Sequence, residues 1–218
     1  MRIRRARRED ADFLAWVMLA ASRAHLTRGV WDLIIGTDIG TDEEGCLDYL
    51  KRLAVAEPRS LYHYENFVVA EVDGTPAAGL CSFDMREDTW AIVAEATSAV
   101  QHDIGWSEAD VAASRERVAP VWACFLKDAG ADWGIENVGT RPEYRGRGLA
   151  SALMAEFLRE GAERGRQLAQ ITTYIGNDAA RSVYEKAGFR FSDEKRCAEV
   201  AALLGAPGFM RFLRKLQK

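Results

Sequence analysis

Apolar positions along this chain recur in two rhythms, every second residue and every third to fourth, and the two alternate from end to end. Residues 1–6 read as a short strand, and 10–24 as a helix with Phe13, Leu14, Val17, Ala20 and Ala21 turned inward. Asp10 stands where a carboxylate caps a helix start. A second helix is expected over 42–56, with Leu47, Leu50, Leu53 and Ala54 at helical spacing and Pro58 just past its end. Two β-prone runs, 67–72 and 77–83, flank Asp73-Gly74 and predict an antiparallel hairpin whose loop Thr75-Pro76 lengthens.

From 85 to 131 the character changes. The stretch is rich in alanine and acids, with helical spacing near 89–100 and 107–128, and it carries Trp90, Trp106 and Trp122. Between Asp84 and Asp110 seven acidic residues face one base, Arg86. A strand is then expected over 133–140, a loop over 141–148, and a helix over 149–164 whose apolar face is built on Leu149, Leu153 and Phe157. A strand at 168–174 and a helix at 178–187 follow, with Gly188 placed as a left-handed stop. Phe189 opens a further strand, a helix is expected over 194–204, and a last strand over 208–213. The order predicts a mixed α+β domain spanning 1–218, with a helical insertion at 85–131.

Composition narrows the possibilities. The 218 residues are 48% apolar and 28% charged, an ordinary globular balance, and the net charge of −4 argues against nucleic acid as a partner. The basic start, residues 1–8, precedes an apolar run of nine residues, but Glu9, Asp10 and Asp12 separate the two, so a strand and a capped helix explain it better than a leader. No run approaches the roughly 20 apolar residues of a membrane span. Cys46, Cys81, Cys124 and Cys197 stand far apart, as do the three histidines, so no local metal site is expected. Such cysteines read as unpaired small hydrophobes in a reducing compartment, hence the cytoplasm.

The chemistry begins at Arg145-Gly146-Arg147-Gly148-Leu149-Ala150, between an apolar strand and an amphipathic helix. Main-chain N–H groups at a helix start attract anions, small residues let a diphosphate approach, and Arg141, Arg145 and Arg147 add positive charge. No Gly-Lys-Ser/Thr follows, which excludes a Walker loop. A dinucleotide fingerprint lacks its third glycine, Ser151 standing there instead. About 27 residues on, Asn177-x-x-Ala180-x-x-x-Tyr184-x-x-x-Gly188-Phe189 follows the next strand. With Pro142-x-Tyr144-Arg145-Gly146-x-Gly148-Leu149-Ala150, this set resembles the GNAT superfamily of acetyl-CoA-dependent N-acetyltransferases, whose acyl-CoA loop is matched by Arg145, Gly148 and Ala150.

That resemblance implies a central, mostly antiparallel sheet splayed between the strands at 133–140 and 168–174. The pantetheine arm of acetyl-CoA would pair with main chain at Val138, Gly139 and Thr140, and its pyrophosphate would sit on Arg145, Gly146, Arg147, Gly148, Leu149, Ala150 and Ser151. Asn177 would contact the arm while capping a helix, and Tyr184 would be the general acid. The strand at 133–140 should carry the base. On an extended strand Asp132, Gly134, Glu136, Val138 and Thr140 share one face; Glu136 is nearest the thioester end that the resemblance implies and comes first, Asp132 second, and a water relay would remove the need for either. The acceptor would be a small-molecule or peptide primary amine, and Asp38, Asp42, Glu43, Glu44, Asp48 and the acidic insertion suggest a cationic one. The insertion is open to two readings, a lid or a homodimer contact. A non-catalytic acyl-CoA sensor and a dinucleotide oxidoreductase are the rival functions.

Overall fold

A computed structural model of the chain describes residues 1–36, 43–87 and 89–216. Strand β1 (Arg2–Arg5) leads to α1 (Ala11–Arg23), α2 (Val30–Ile35) and α3 (Glu43–Leu53), then to the hairpin of β2 (Phe67–Val72) and β3 (Thr75–Asp84). Helices α4 (Thr89–Asp103) and α5 (Glu108–Cys124) make the insertion. Next come β4 (Trp133–Thr140), α6 (Leu149–Glu163), β5 (Leu168–Tyr174), α7 (Asp178–Lys186), β6 (Arg190–Arg196), α8 (Ala198–Leu204) and β7 (Gly208–Lys215).

Local chemistry explains most boundaries and three departures from expectation. The hairpin turn is tighter than its sequence suggests. Asp73 and Gly74 both take positive φ and Val72 pairs directly with Thr75, so Thr75-Pro76 belongs to the strand, and a bulge beside Glu71 absorbs the proline. Helix α2 was not anticipated. It is short, and the Asp32 carboxylate holds its start by accepting from the Gly29 N–H at 2.8 Å while Arg23 braces it. Residues 194–196, expected as helix, extend β6 instead, because Glu194, Lys195 and Arg196 pair with Met210, Phe209 and Gly208 of β7. Sheet pairing overrides local helical preference there.

Among the described residues the strands form one sheet in the order β1-β2-β3-β4-β5-β7-β6. Its neighbours run antiparallel except β4 and β5, which are parallel and pair only from Trp133 to Ile135 against Ala169 to Ile171. Past Ile135 the two strands separate. The mostly antiparallel, splayed sheet expected from the resemblance is therefore present. One apolar core packs α1–α5 and α8 on one face, and a second packs α6 and α7 on the other.

The insertion lies on the α1 face and is fastened at two points. The Ser114 hydroxyl donates to the Ile34 carbonyl at 2.6 Å, and Arg117 donates to the Leu33 and Ile34 carbonyls at the end of α2. The second fastening corrects the reading of the cysteines. Cys46 and Cys81 are buried thiols outside any disulfide, but Cys124 at the end of α5 is disulfide-bonded to Cys197, which caps α8. The fold brings together residues 73 positions apart, which spacing along the chain does not disclose. The cytoplasmic assignment loses the argument from unpaired cysteines on which it rested. Among the described residues no helix is long and apolar enough to cross a membrane.

Candidate active site

Strand β4 is not uniform. Cys81 pairs with Glu136 and Gly79 with Gly139, so Asn137 and Val138 together oppose the single residue Leu80. This is a β-bulge, and Asn137 takes the left-handed φ of 52° that it requires. The extra residue reverses the alternation. Glu136 and Gly139 face α1, as do their partners Cys81 and Gly79, while Val138 packs into the core under α6. The expected common face of Glu136, Val138 and Thr140 is thus broken by the bulge, and Thr140 pairs with Ala78 of the α6-side core.

The fork between β4 and β5 opens into a cavity of about 880 Å³ that passes through the sheet from one helical layer to the other. On the α6 side it is walled by Val138, Thr140, Arg145, Ala150, Asn177 and Tyr184; on the other by Gly139, α1, α2 and the insertion. Gly146, Arg147, Gly148 and Ser151 are exposed beyond this wall, on the loop and first turn of α6. Gly146 and Gly148 both have φ of 76°, with open space where a Cβ would stand. Helix α6 starts without a side-chain cap and without an acid in its first turn. The N–H groups of Leu149, Ala150 and Ser151 precede its first internal bond, from Ala152 to the Gly148 carbonyl. An uncapped, acid-free helix start beside exposed arginines fits a diphosphate. The Leu149 side chain is buried in the core, so only its main chain faces that site. Arg147 lies over the Tyr144 ring, whereas Arg141 turns away to lie over Phe13 and Trp16.

Glu136 lines the cavity, and desolvation pushes its pKa up to about 7. Tyr184, on the α7 side, is buried, and burial followed by the charge of Glu136 holds its phenol well above the ordinary range. Asn177 caps α7, its side-chain oxygen accepting from Ala180 N–H while its amide donates to Thr173. Asp132 is elsewhere. Its carboxylate accepts from the main-chain N–H groups of Gln167 and Leu168 at 2.9–3.0 Å and fixes the start of β5, away from the cavity wall. It clasps the start of β5.

The family comparison now decides what this geometry belongs to. The model of the acetyltransferase (GNAT) family matches residues 31–189. The chain belongs to the GNAT family. It is therefore an acyltransferase of the acetyl-CoA-dependent family. Among solved structures, an N-acetyltransferase from Staphylococcus aureus Mu50 is 20% identical with a TM-score of 0.70, over 98% of this chain and 100% of the other. A Drosophila melanogaster polyamine N-acetyltransferase is 14% identical with a TM-score of 0.56, over 99% of each chain. Salmonella typhimurium yncA, solved with its cofactor acetyl-CoA, is 14% identical with a TM-score of 0.55, over 100% of this chain and 94% of the other. At these identities the likeness is one of fold.

Within this GNAT site several residues had no signal in the sequence. Asn137 supplies a buried side-chain nitrogen without a hydrogen-bond partner, at the bulge itself. Tyr62 and His25 also line the cavity. None sits in a motif; each arrives from a loop or strand irregularity. The acids at 43, 44 and 48 do not line the cavity, and Glu43 and Asp48 pair with Arg23 and Arg52. Asp38 and Asp42 lie outside the described residues.

Proposed function

We propose that this chain moves acetyl from acetyl-CoA directly onto a primary amine, with Glu136 as base and Tyr184 as acid. What supports the reading is their placement: they approach the fork from opposite faces of the sheet, at the point where the sheet is open. Bound acetyl-CoA supplies a thioester carbon activated towards an amine nitrogen. Glu136, half ionised near neutrality, accepts the proton that an amine of pKa about 10 must lose. Main chain around Val138, released from regular pairing by the bulge, offers N–H donors to the charge that develops on the carbonyl oxygen. Tyr184 stays protonated across the physiological range and donates to sulfur as the C–S bond breaks and the C–N bond forms. As the intermediate collapses the nitrogen loses a second proton, which solvent carries to Tyr184, and the proton held by Glu136 leaves to solvent.

Calorimetry with acetyl-CoA, alongside thiol release on an amine panel, tests this. Gly148→Ala adds backbone strain of roughly 1–2 kcal/mol and no charge, so it should weaken acetyl-CoA binding modestly. Gly148→Glu should abolish it. Tyr184→Phe should lower kcat at least tenfold with acetyl-CoA affinity retained. Equal binding by Gly148→Glu would remove the anion site, and unchanged turnover by Tyr184→Phe would remove the acid.

A further inference from the structure

Five rings form a continuous strip along one wall of the cavity. Trp90 of α4 meets Trp122 of α5 at 6.4 Å between centroids, and Trp122 meets Phe125 at 5.2 Å. Phe125 meets Phe209 of β7 at 4.8 Å, and Phe209 stacks on Tyr174 of β5 at 5.1 Å. All five line the same cavity. The strip starts in solvent, with Trp90 50% and Trp122 43% exposed, and ends on buried Tyr174 at the open end of β5. Rings recruited only to stabilise a core would not leave the first two in water. The strip leads instead from solvent to the fork where Glu136 stands.

The charges on the walls point the same way. The described acids of the insertion, such as Glu95 and Glu116, are exposed and off the cavity wall. Among the described residues Glu136 is the only carboxylate on that wall, and Arg115 adds a cation to it. A polycation would find one counter-charge and an opposing guanidinium. A flat apolar body finds stacking surface along its whole length.

We infer that the strip binds the acceptor, an amine carried on an aromatic body, with its nitrogen at Glu136 and its ring between the insertion and β7. This rests on the acetyltransferase reading above. It assigns the insertion the task of selecting the acceptor, through its rings and not through its acids.

The test measures CoA release with 2-phenylethylamine, tryptamine, spermidine and agmatine on the wild-type chain and on the Trp90→Ala/Trp122→Ala variant. Acetyl-CoA binding by calorimetry and oligomeric state by light scattering accompany it. Expected is a kcat/KM for the two aromatic amines at least about tenfold above the other two. The double variant should raise KM for the aromatic amines about tenfold and leave the Kd for acetyl-CoA unchanged. A preference for spermidine or agmatine overturns the inference. So does indifference to the two tryptophans, or a dimer that the variant dissociates without a change in KM. If acetyl-CoA binds but none of the four amines reacts, the substrate class fails and the donor site stands. If acetyl-CoA does not bind, both readings fail.

Discussion

The carboxylate of Glu136 is felt across the site. Its charge contributes to the raised pKa of Tyr62, Cys81, Tyr174 and Tyr184, although burial is the larger cause in each. Two consequences follow from its own pKa of about 7. The proposed base works when deprotonated, so kcat/KM should rise with pH through an inflection near 7, and Glu136→Gln should flatten that profile and lower the rate. In the unfolded chain the same group titrates near 4.5, so between 4.5 and 7 the folded state holds a proton that the unfolded state has released. Stability therefore falls as pH rises through that window. Glu136→Gln should be more stable than wild type at pH 8, on the order of 2–3 kcal/mol, and no more stable at pH 4. Thermal melts at the two pH values check this. Glu136 was legible in the sequence as an acid on the right strand, as were Tyr184 and Asn177 through their spacing. Asn137 was not, because alternation assumes a regular strand, and one inserted residue moves Val138 to the other face. Nor was the role of Asp132, whose partners are main-chain N–H groups 35 and 36 residues away.

Among the elements, α6 and β4 are set against each other by one close approach. A Cβ on Gly161 would stand 2.5 Å from the Trp133 ring, which donates its indole N–H to the Phe157 carbonyl and is 1% exposed. Alanine is the better helix former by about 1 kcal/mol, yet here it should destabilise by roughly 1–3 kcal/mol, because the ring has nowhere to go. A urea midpoint lowered with the slope unchanged is the expected result; an unchanged or higher midpoint would show that Trp133 can move. Most elements were readable from periodicity, since α1, α3 and α6 each bury one face. The failures at α2 and at the end of β6 have separate causes. A helix of six residues gives no periodic signal, and the charged run at the end of β6 is held as strand by β7, which comes later in the chain.

At the scale of the whole molecule the insertion is a wall and not an appendage. Its α5 is pinned to α2 through Ser114 and Arg117 and to α8 through Cys124 and Cys197, and along the chain Cys124 stands between Trp122 and Phe125 of the aromatic strip. Closing a segment of this length restricts the unfolded chain, so Cys124→Ser/Cys197→Ser should cost roughly 2–5 kcal/mol in chemical denaturation. The same variant should raise KM for the acceptor and leave acetyl-CoA affinity in place, a separation that general loosening would not give.

The fork has a further consequence, for association. A sheet normally exposes two outer strands, and unpaired strand borders recruit other chains and seed aggregates. Beyond Ile135 this sheet gains two more such borders, along β4 and β5, in the middle of the molecule. Helices cover them from both faces, so another protein's strand with its side chains has no way to lie alongside. A thin extended arm does. Under the proposed acetyl transfer, the chain keeps a β-pairing surface open for the donor's arm while withholding that surface from other copies of itself.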